Sequence, residues 1–379
     1  MRVCLICVEI FAWGKYGGFG RMTRMLGREL AYRGVEVYAV VPRRDGQRPV
    51  EVLDGITVLS FPYYYPWAAA KLYRECDADI YHSQEPSYGT VLAMKVMPDR
   101  KHIVTFRDPR DRMDRSIEMK YPSRSHMRTF LSSLYENVVA ARSVHRADRL
   151  FCCSPHLGPK VRTMFGLSAV PAFLPSPIAI PDRPMKKAGR PTVCFLARLD
   201  RRKRPERFFE LAGQNPEVRF VAVGKSQDRA WEEFLCLKYR GIPNLEIRGF
   251  INQFETDGLS RLLEESWILV NTAVREGLPT SFLEALAHRC ALLSGVNPNG
   301  IVEHFGRHVT DDDFDTGLKT LLRNNSWKEK GERGFQYVNE HFNLEMSVDR
   351  HMAVYSEVIG EIIKQGEGSM QSHRTPRPR

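Results

Sequence analysis

Short apolar runs of strand length recur along the chain, each followed by a loop and a helical segment. The series starts afresh after a stretch holding Pro171, Pro175, Pro177, Pro181, Pro184 and Pro191. Parallel strands need long crossovers, so this alternation predicts parallel sheets with helices on both faces. The chain reads as an α/β protein of two doubly wound domains, expected over 1–175 and 191–345 with a linker at 176–190. A length of 379 residues suffices for two ordinary domains.

In the first half, strands are expected at Val3–Ile10, Val35–Val41, Asp79–His82, His102–Phe106 and Leu150–Cys153. Asp54-Gly55 predicts a hairpin between Pro49–Leu53 and Ile56–Phe61. A helix carrying Met22, Met25, Leu26 and Leu30 on one face follows the first strand and stops at Gly34. In the second half, strands are expected at Val193–Leu196, Val218–Val223, Leu245–Arg248, Ile268–Asn271 and Ala291–Ser294, with helices at Pro205–Ala212 and Ser281–Ala287. From Ser326 to about Lys364 the pattern is helical, and 365–379 is expected to be a disordered basic tail.

Fifty-six Lys and Arg against 45 Asp and Glu give a formal charge of +11, which predicts an anionic partner. No run reaches the roughly 18 apolar residues of a membrane span. The eight cysteines are scattered through apolar runs and read as reduced core residues of a cytoplasmic protein. Cys4 and Cys7 sit three apart within the first expected strand, a spacing that sends their side chains to opposite faces and disfavours metal binding.

Three constellations carry chemistry. Gly17-Gly18-Phe19-Gly20 joins the first strand to the first helix, where glycine admits close backbone approach and a helix N-terminus attracts an anion; a plain loop is the alternative. Arg198-Leu199-Asp200-Arg201-Arg202-Lys203 follows the first strand of the second domain. Arg198 and Lys203 there suit a diphosphate, while Arg201, Arg202 and Arg204 read as a solvated face. Glu276-Gly277-Leu278-Pro279-Thr280-Ser281-Phe282-Leu283-Glu284 sets two carboxylates around a turn that opens a helix. They could take sugar hydroxyls while the N–H groups of Gly277 to Ser281 hold phosphate. Ser281 to Glu284 also fits a capping box, in which Glu284 would serve only its own helix. No Gly-x-Gly-x-x-Gly follows the first strand of either half, so a nicotinamide cofactor is not expected.

In this order, with Asp79-Ile80-Tyr81-His82, Ser154, Gly224 and Gly249-Phe250, these elements resemble the family-4 retaining glycosyltransferases of the GT-B fold. The resemblance covers nearly the whole chain. It implies two Rossmann-like domains facing a central cleft, and a last helix, here 346–364, returning to the N-terminal domain with Val348, Met352, Tyr355 and Ile359 on one face. It also implies a nucleotide-diphosphate sugar as donor, no cofactor and no metal, and transfer of a hexose-type sugar to a glycan, lipid-linked or small-molecule acceptor, as in polysaccharide biosynthesis. Similarity to the family puts Arg198 and Lys203 on the diphosphate and Glu276 on the transferred sugar. Glu284 falls on the ribose, Gly277, Leu278, Pro279 and Thr280 in the donor loop, Gly249 and Phe250 beside the base, and Gly17 and Gly18 near the diphosphate.

The chain departs from the family at Val104-Thr105-Phe106-Arg107-Asp108, where many members carry Thr-x-His: Arg107 could stabilise acceptor charge and Asp108 could receive the acceptor proton. His82 is placed on the acceptor side or in a structural role. Arg289 replaces a frequent glycine and, with His288, puts positive charge at a helix C-terminus. Asp311 to Asp313 are expected to serve a helix N-terminus. Arg107 to Arg128 could lie on an anionic membrane, giving a peripheral location at its inner face, or form a solvated loop and helix. Tyr63-Tyr64-Tyr65-Pro66-Trp67 could stack on sugar rings or pack under a loop. A sugar-nucleotide 2-epimerase of the same fold and a non-catalytic anion-binding protein are the competing readings; no nucleic-acid motif is present.

Overall fold

The computed structural model of the chain describes residues 1–121, 141–182 and 185–371, with side chains to 360. Its contacts gather into two compact units. One holds Met1–Arg107, Leu134–Pro177 and Glu345–Arg379, the other Asp108–Ser133 and Ile178–Leu344.

The first unit is built on β1 (Arg2–Ile6), β2 (Glu36–Pro42), β3 (Val50–Leu53), β4 (Ile56–Phe61), β5 (Ile80–Ser83), β6 (Lys101–Phe106), β7 (Arg149–Cys152) and β8 (Ala172–Phe173). Their order is β3-β4-β2-β1-β5-β6-β7-β8, parallel except for the β3–β4 hairpin. Asp54 (φ 50°) and Gly55 (φ 81°) both take the left-handed conformation that a primed two-residue turn demands. β1 is central, and its Val3, Cys4 and Leu5 are fully buried, as a strand covered on both faces must be. It stops at Ile6 instead of Ile10: Val8 is exposed, and Glu9 turns back to the helix Gly18–Tyr32. Cys7 therefore lies outside the strand.

The second unit repeats the plan with β9 (Thr192–Leu196), β10 (Arg219–Val223), β11 (Leu245–Ile247), β12 (Ile268–Asn271), β13 (Ala291–Ser294) and β14 (Gly306–His308). The order is β11-β10-β9-β12-β13-β14, all parallel. Phe195, Phe208, Phe209 and Phe220 are fully buried between the sheet and its helices, and Trp267 stacks on Trp327 at 4.5 Å between centroids. β8 and β14 were not expected. The first is two residues inside the proline-rich stretch, and the second is a Gly-Arg-His run with no apolar pattern. Gly306 fits because a Cβ there would fall 1.8 Å from the Leu292 carbonyl oxygen. Ser176 and Ile178 are buried, so the expected linker begins as packed chain.

The last helix, Leu344–Gln371, is longer than expected, so at least residues 365–371 are helical; 372–379 lie outside the described residues. From Glu345 it belongs to the first unit. Its buried face is Val348, His351, Tyr355 and Val358, whereas Met352 and Ile359 are only half-buried. Val348 and Tyr355 keep the expected face, while His82, which bonds Tyr355 and packs beside His351, gives His351 a polar neighbour inside. Among the described residues no helix is long and apolar enough to cross a membrane.

Candidate active site

The candidate donor residues collect at the carboxyl ends of the strands of the second unit, where loops of open α/β sheets carry ligands. After β9 the chain makes a short 3-10 turn, Arg201–Lys203, passes Arg204 at φ 47° and starts the helix Pro205–Gln214. The loop after β12 is tied to this turn: Thr272 Oγ1 donates to the Lys203 and Arg204 carbonyls, both at 2.8 Å, and Val274 N–H donates to the Arg202 carbonyl at 3.2 Å. The tie brings the Lys203 ammonium onto Glu276 Oε1, which also accepts from Asn271 Nδ2 at 3.3 Å. Burial lowers the Lys203 pKa against the opposing pull of Glu276.

Arg198 is not part of that pair. Its guanidinium lies 2.9 Å from the buried Asp200, and about a third of its side chain stays accessible. The ends of β9, β10 and β11 are laced together by Leu199 N–H to the Lys225 carbonyl and Gly224 N–H to that of Gly249. Gly224 is obligatory, since a Cβ there would lie 1.9 Å from the Ala197 carbonyl oxygen. Gly249 (φ 68°) and Phe250 thus follow a strand two places from the one that leads to Arg198.

The helix after Glu276 spans Thr280–Ala287 and opens on Pro279 with no side-chain cap. The capping box expected at Ser281 and Glu284 does not form, because the N-cap is Pro279, two residues before Ser281. Ser281 and Glu284 are then interior and buried, with Glu284 in the second turn. Gly277, Leu278 and Pro279 make the loop that presents the uncapped first turn. At its far end Arg289 takes φ 57°, the conformation that suits the family's glycine, and is held by Glu332 at 2.7 Å and by the Phe335 ring at 3.6 Å.

The expected solvated face of Arg201, Arg202 and Arg204 is corrected in two of its three members. Arg202 pairs with the buried Glu118, and Arg204 grips Asp312 with both Nη atoms, while Arg201 is exposed and lies 4.1 Å over Trp231. Asp108 belongs to the same network. Both its oxygens accept from Arg275, at 3.0 and 2.6 Å, and Arg275 Nε lies 2.8 Å from Asp114. Burial pushes the Asp108 carboxyl up, but Arg275 and Arg110 more than offset this and hold it well below the usual carboxylate range. A carboxylate so held is a poor proton acceptor, which argues against the proton-accepting role expected for it.

In the first unit the glycine loop has an internal occupant. Glu9 Oε1 accepts from Gly20 N–H at 3.1 Å and Lys15 lies 3.8 Å from its other oxygen, so a carboxylate of the chain itself sits at the helix N-terminus. Gly17 is the residue before that helix, and Gly18, its first residue, is exposed. His82 is corrected from the acceptor side to the core. It is fully buried between Tyr355 Oη and Thr105 Oγ1, each at 2.7 Å, and burial drives its pKa well below the ordinary value. Arg107 is buried too, with 5% exposure, and so is no surface contact for a membrane. Part of the basic stretch that it begins, including Arg124, Met127 and Arg128, lies outside the described residues. Tyr63, Tyr64, Tyr65 and Trp67 are exposed and pair edge to face instead of packing under a loop. Asp313 caps its helix by accepting from Thr316 N–H at 3.0 Å.

Sequence reading missed Asn271, Asp200 and Arg275. The first had a signal, a polar residue ending an apolar strand five before Glu276. Arg275 had none, because its partners lie about 160 residues away.

Two family models match, Glycosyltransferase Family 4 over residues 16–174 and Glycosyl transferases group 1 over residues 179–325. The chain belongs to the family-4, group 1 glycosyltransferases. Its fold is that of solved GT-B enzymes. Sucrose-phosphate synthase from Thermosynechococcus elongatus is similar at 17% identity and a TM-score of 0.75, over 95% of this chain and 99% of that one. Anabaena HepE in complex with UDP-glucose is similar at 12% and 0.71, over 94% and 100%. A glycosyltransferase from Rickettsia africae is similar at 13% and 0.66, over 94% and 98%. No curated protein matches by sequence.

Proposed function

We propose that this chain moves a hexose-type sugar from a nucleotide-diphosphate sugar to an acceptor hydroxyl with retention of configuration. The observation that carries the proposal is the Lys203–Glu276 pair, assembled by ties between the loops after β9 and β12. In the free protein each group neutralises the other. A donor would replace that contact, its diphosphate taking Lys203 and Arg198 and the hydroxyls of its sugar taking Glu276. The uncapped turn at Thr280 adds N–H groups that favour the same anion, and Glu284 one turn further would meet the ribose. Gly249 and Phe250 would line the base.

Breaking the sugar–phosphate bond places charge on the departing diphosphate, and the two fixed cations stabilise it most when it is fully formed. The acceptor hydroxyl then attacks from the face the diphosphate leaves, whose oxygen can take the proton. HepE, solved with UDP-glucose, supports a UDP-sugar as the first donor to try.

Thermal shift with UDP-, GDP-, ADP- and dTDP-sugars tests the donor site, since a ligand at about 100 times its Kd adds about 2.7 kcal/mol to the folded state. A shift with one series, lost in Lys203→Ala, is expected. Product NMR with donor alone then separates transfer from epimerisation, which needs no acceptor. Full transfer by Glu276→Ala would overturn the proposal.

A further inference from the structure

Arg107 follows the strand β6 and Gln84 follows its neighbour β5, so both stand at the carboxyl edge of the first unit's sheet. Both are nine-tenths buried or more, at 5% and 2% exposure. The Arg107 guanidinium donates to Ser176 Oγ at 2.8 Å and to Gln84 Oε1, both neutral groups. Among the described residues no carboxylate lies within salt-bridge distance of it. The nearby Glu85 carboxylate accepts the Arg107 main-chain N–H instead, at 2.7 Å. By contrast, buried Arg275 is neutralised by Asp108 and Asp114, and buried Arg24 by Asp54 at 2.7 Å.

Two donors are left over. Arg107 Nε and Gln84 Nε2 are buried and have no hydrogen-bond partner among the described residues. The amide orientation is fixed by chemistry, because a guanidinium has no acceptor and the Gln84 oxygen must face it. The site thus holds a permanent positive charge and two unspent N–H groups, and the one nearby carboxylate, Glu85, is bound to the main chain and makes no ion pair with the guanidinium. Water could accept the hydrogen bonds but would add no counter-charge. Burial pulls the guanidinium pKa down from its ordinary value, and the opposing pull of neighbours that include Glu85 does not offset it.

We propose that Arg107 and Gln84 seat an acidic group of the acceptor, a carboxylate or a phosphate. The word acceptor rests on the transferase reading above. The loop after β5 flanks the site through the Glu85–Arg107 contact, and Glu85 and Ser87 on either side of Pro86 are only half-buried. The position is that of the Thr-x-His departure, so this chain carries a permanent cation where a neutral imidazole would discriminate poorly for charge.

The test is calorimetric titration of the full chain with glucose, glucuronate, glucose 6-phosphate and inorganic phosphate, on wild type, Arg107→Gln and Gln84→Leu. Wild type should bind glucuronate or glucose 6-phosphate about tenfold or more tighter than glucose, as a charge-assisted hydrogen-bond pair provides. Whichever wins identifies the carboxylate or the phosphate, and inorganic phosphate alone should bind if phosphate is the group. Arg107→Gln should abolish the preference and Gln84→Leu should reduce it. If Arg107→Gln fails to fold, Gln84→Leu and the wild-type comparison still decide. Equal binding of charged and neutral sugars by wild type, no saturable binding of any anion, or a preference surviving Arg107→Gln overturns the inference. A nucleotide titration on the same samples keeps the readings apart: nucleotide binding without anion preference removes only this inference, whereas loss of nucleotide binding removes the transferase reading.

Discussion

Glu9 fills the space that a side chain at Gly17 would need: a Cβ on Gly17 would fall 2.0 Å from Glu9 Oε1. A side chain at Gly17 would thus have to displace a carboxylate of the chain itself, which reaches from the loop after β1 to the first turn of the helix Gly18–Tyr32. Any anion approaching that helix N-terminus must contend with Glu9.

Gly17→Ala should displace Glu9 and cost about 1 kcal/mol, the worth of a helix N-cap. Glu9→Ala should cost a similar amount and make the Gly17 substitution nearly neutral in the double variant, because both remove one contact. Urea denaturation of the four proteins measures this.

Lys203 and Glu276 are each about 15% exposed or less, so removing either strands a largely buried charge. Each alanine variant should lose about 1–3 kcal/mol, and the double variant less than the sum. Nucleotide-sugar binding, followed by calorimetry, should fall further with Lys203→Ala than with Glu276→Ala, since only the lysine would meet the diphosphate.

Arg275 holds Asp108 and Asp114 by a forked geometry that an ammonium cannot copy, so Arg275→Lys should destabilise the chain by about 2–4 kcal/mol. Asp108 is held below its ordinary range, and its contribution to stability is therefore full above about pH 4 and declines as the pH falls further. Asp108→Asn should remove that part of the acid sensitivity in denaturation curves.

His351, buried on the last helix, has its pKa pulled down by burial from 6.5 to about 4. The unfolded chain binds the proton first, so stability is full above about pH 6.5 and falls as the pH drops toward 4. The loss should reach about 3 kcal/mol by that pH, and His82, lowered in the same direction, adds to it. Melting temperatures between pH 7 and 4 should fall accordingly. His351→Gln should flatten the slope.

Two mainly parallel sheets, the positions of their main strands along the chain, the Asp54-Gly55 turn and the placement of Lys203 and Glu276 in loops after strands were legible from sequence. Each depends on neighbours along the chain: apolar runs long enough for a strand, glycines where φ is positive, and a motif whose residues share one or two loops. Contacts between distant segments were hidden. His82 looked like an acceptor-side residue until Tyr355, 273 positions later, proved to be its partner. The capping box at Ser281 vanished with a two-residue change in the position of the helix N-cap. Whether a charge stands alone was equally invisible. Asp108 and Arg107 are adjacent, yet one is locked by Arg275 and the other has only neutral side-chain partners. Local sequence sets backbone preference and periodicity, whereas the energy of a buried charge depends on what the completed fold places within a few ångströms of it.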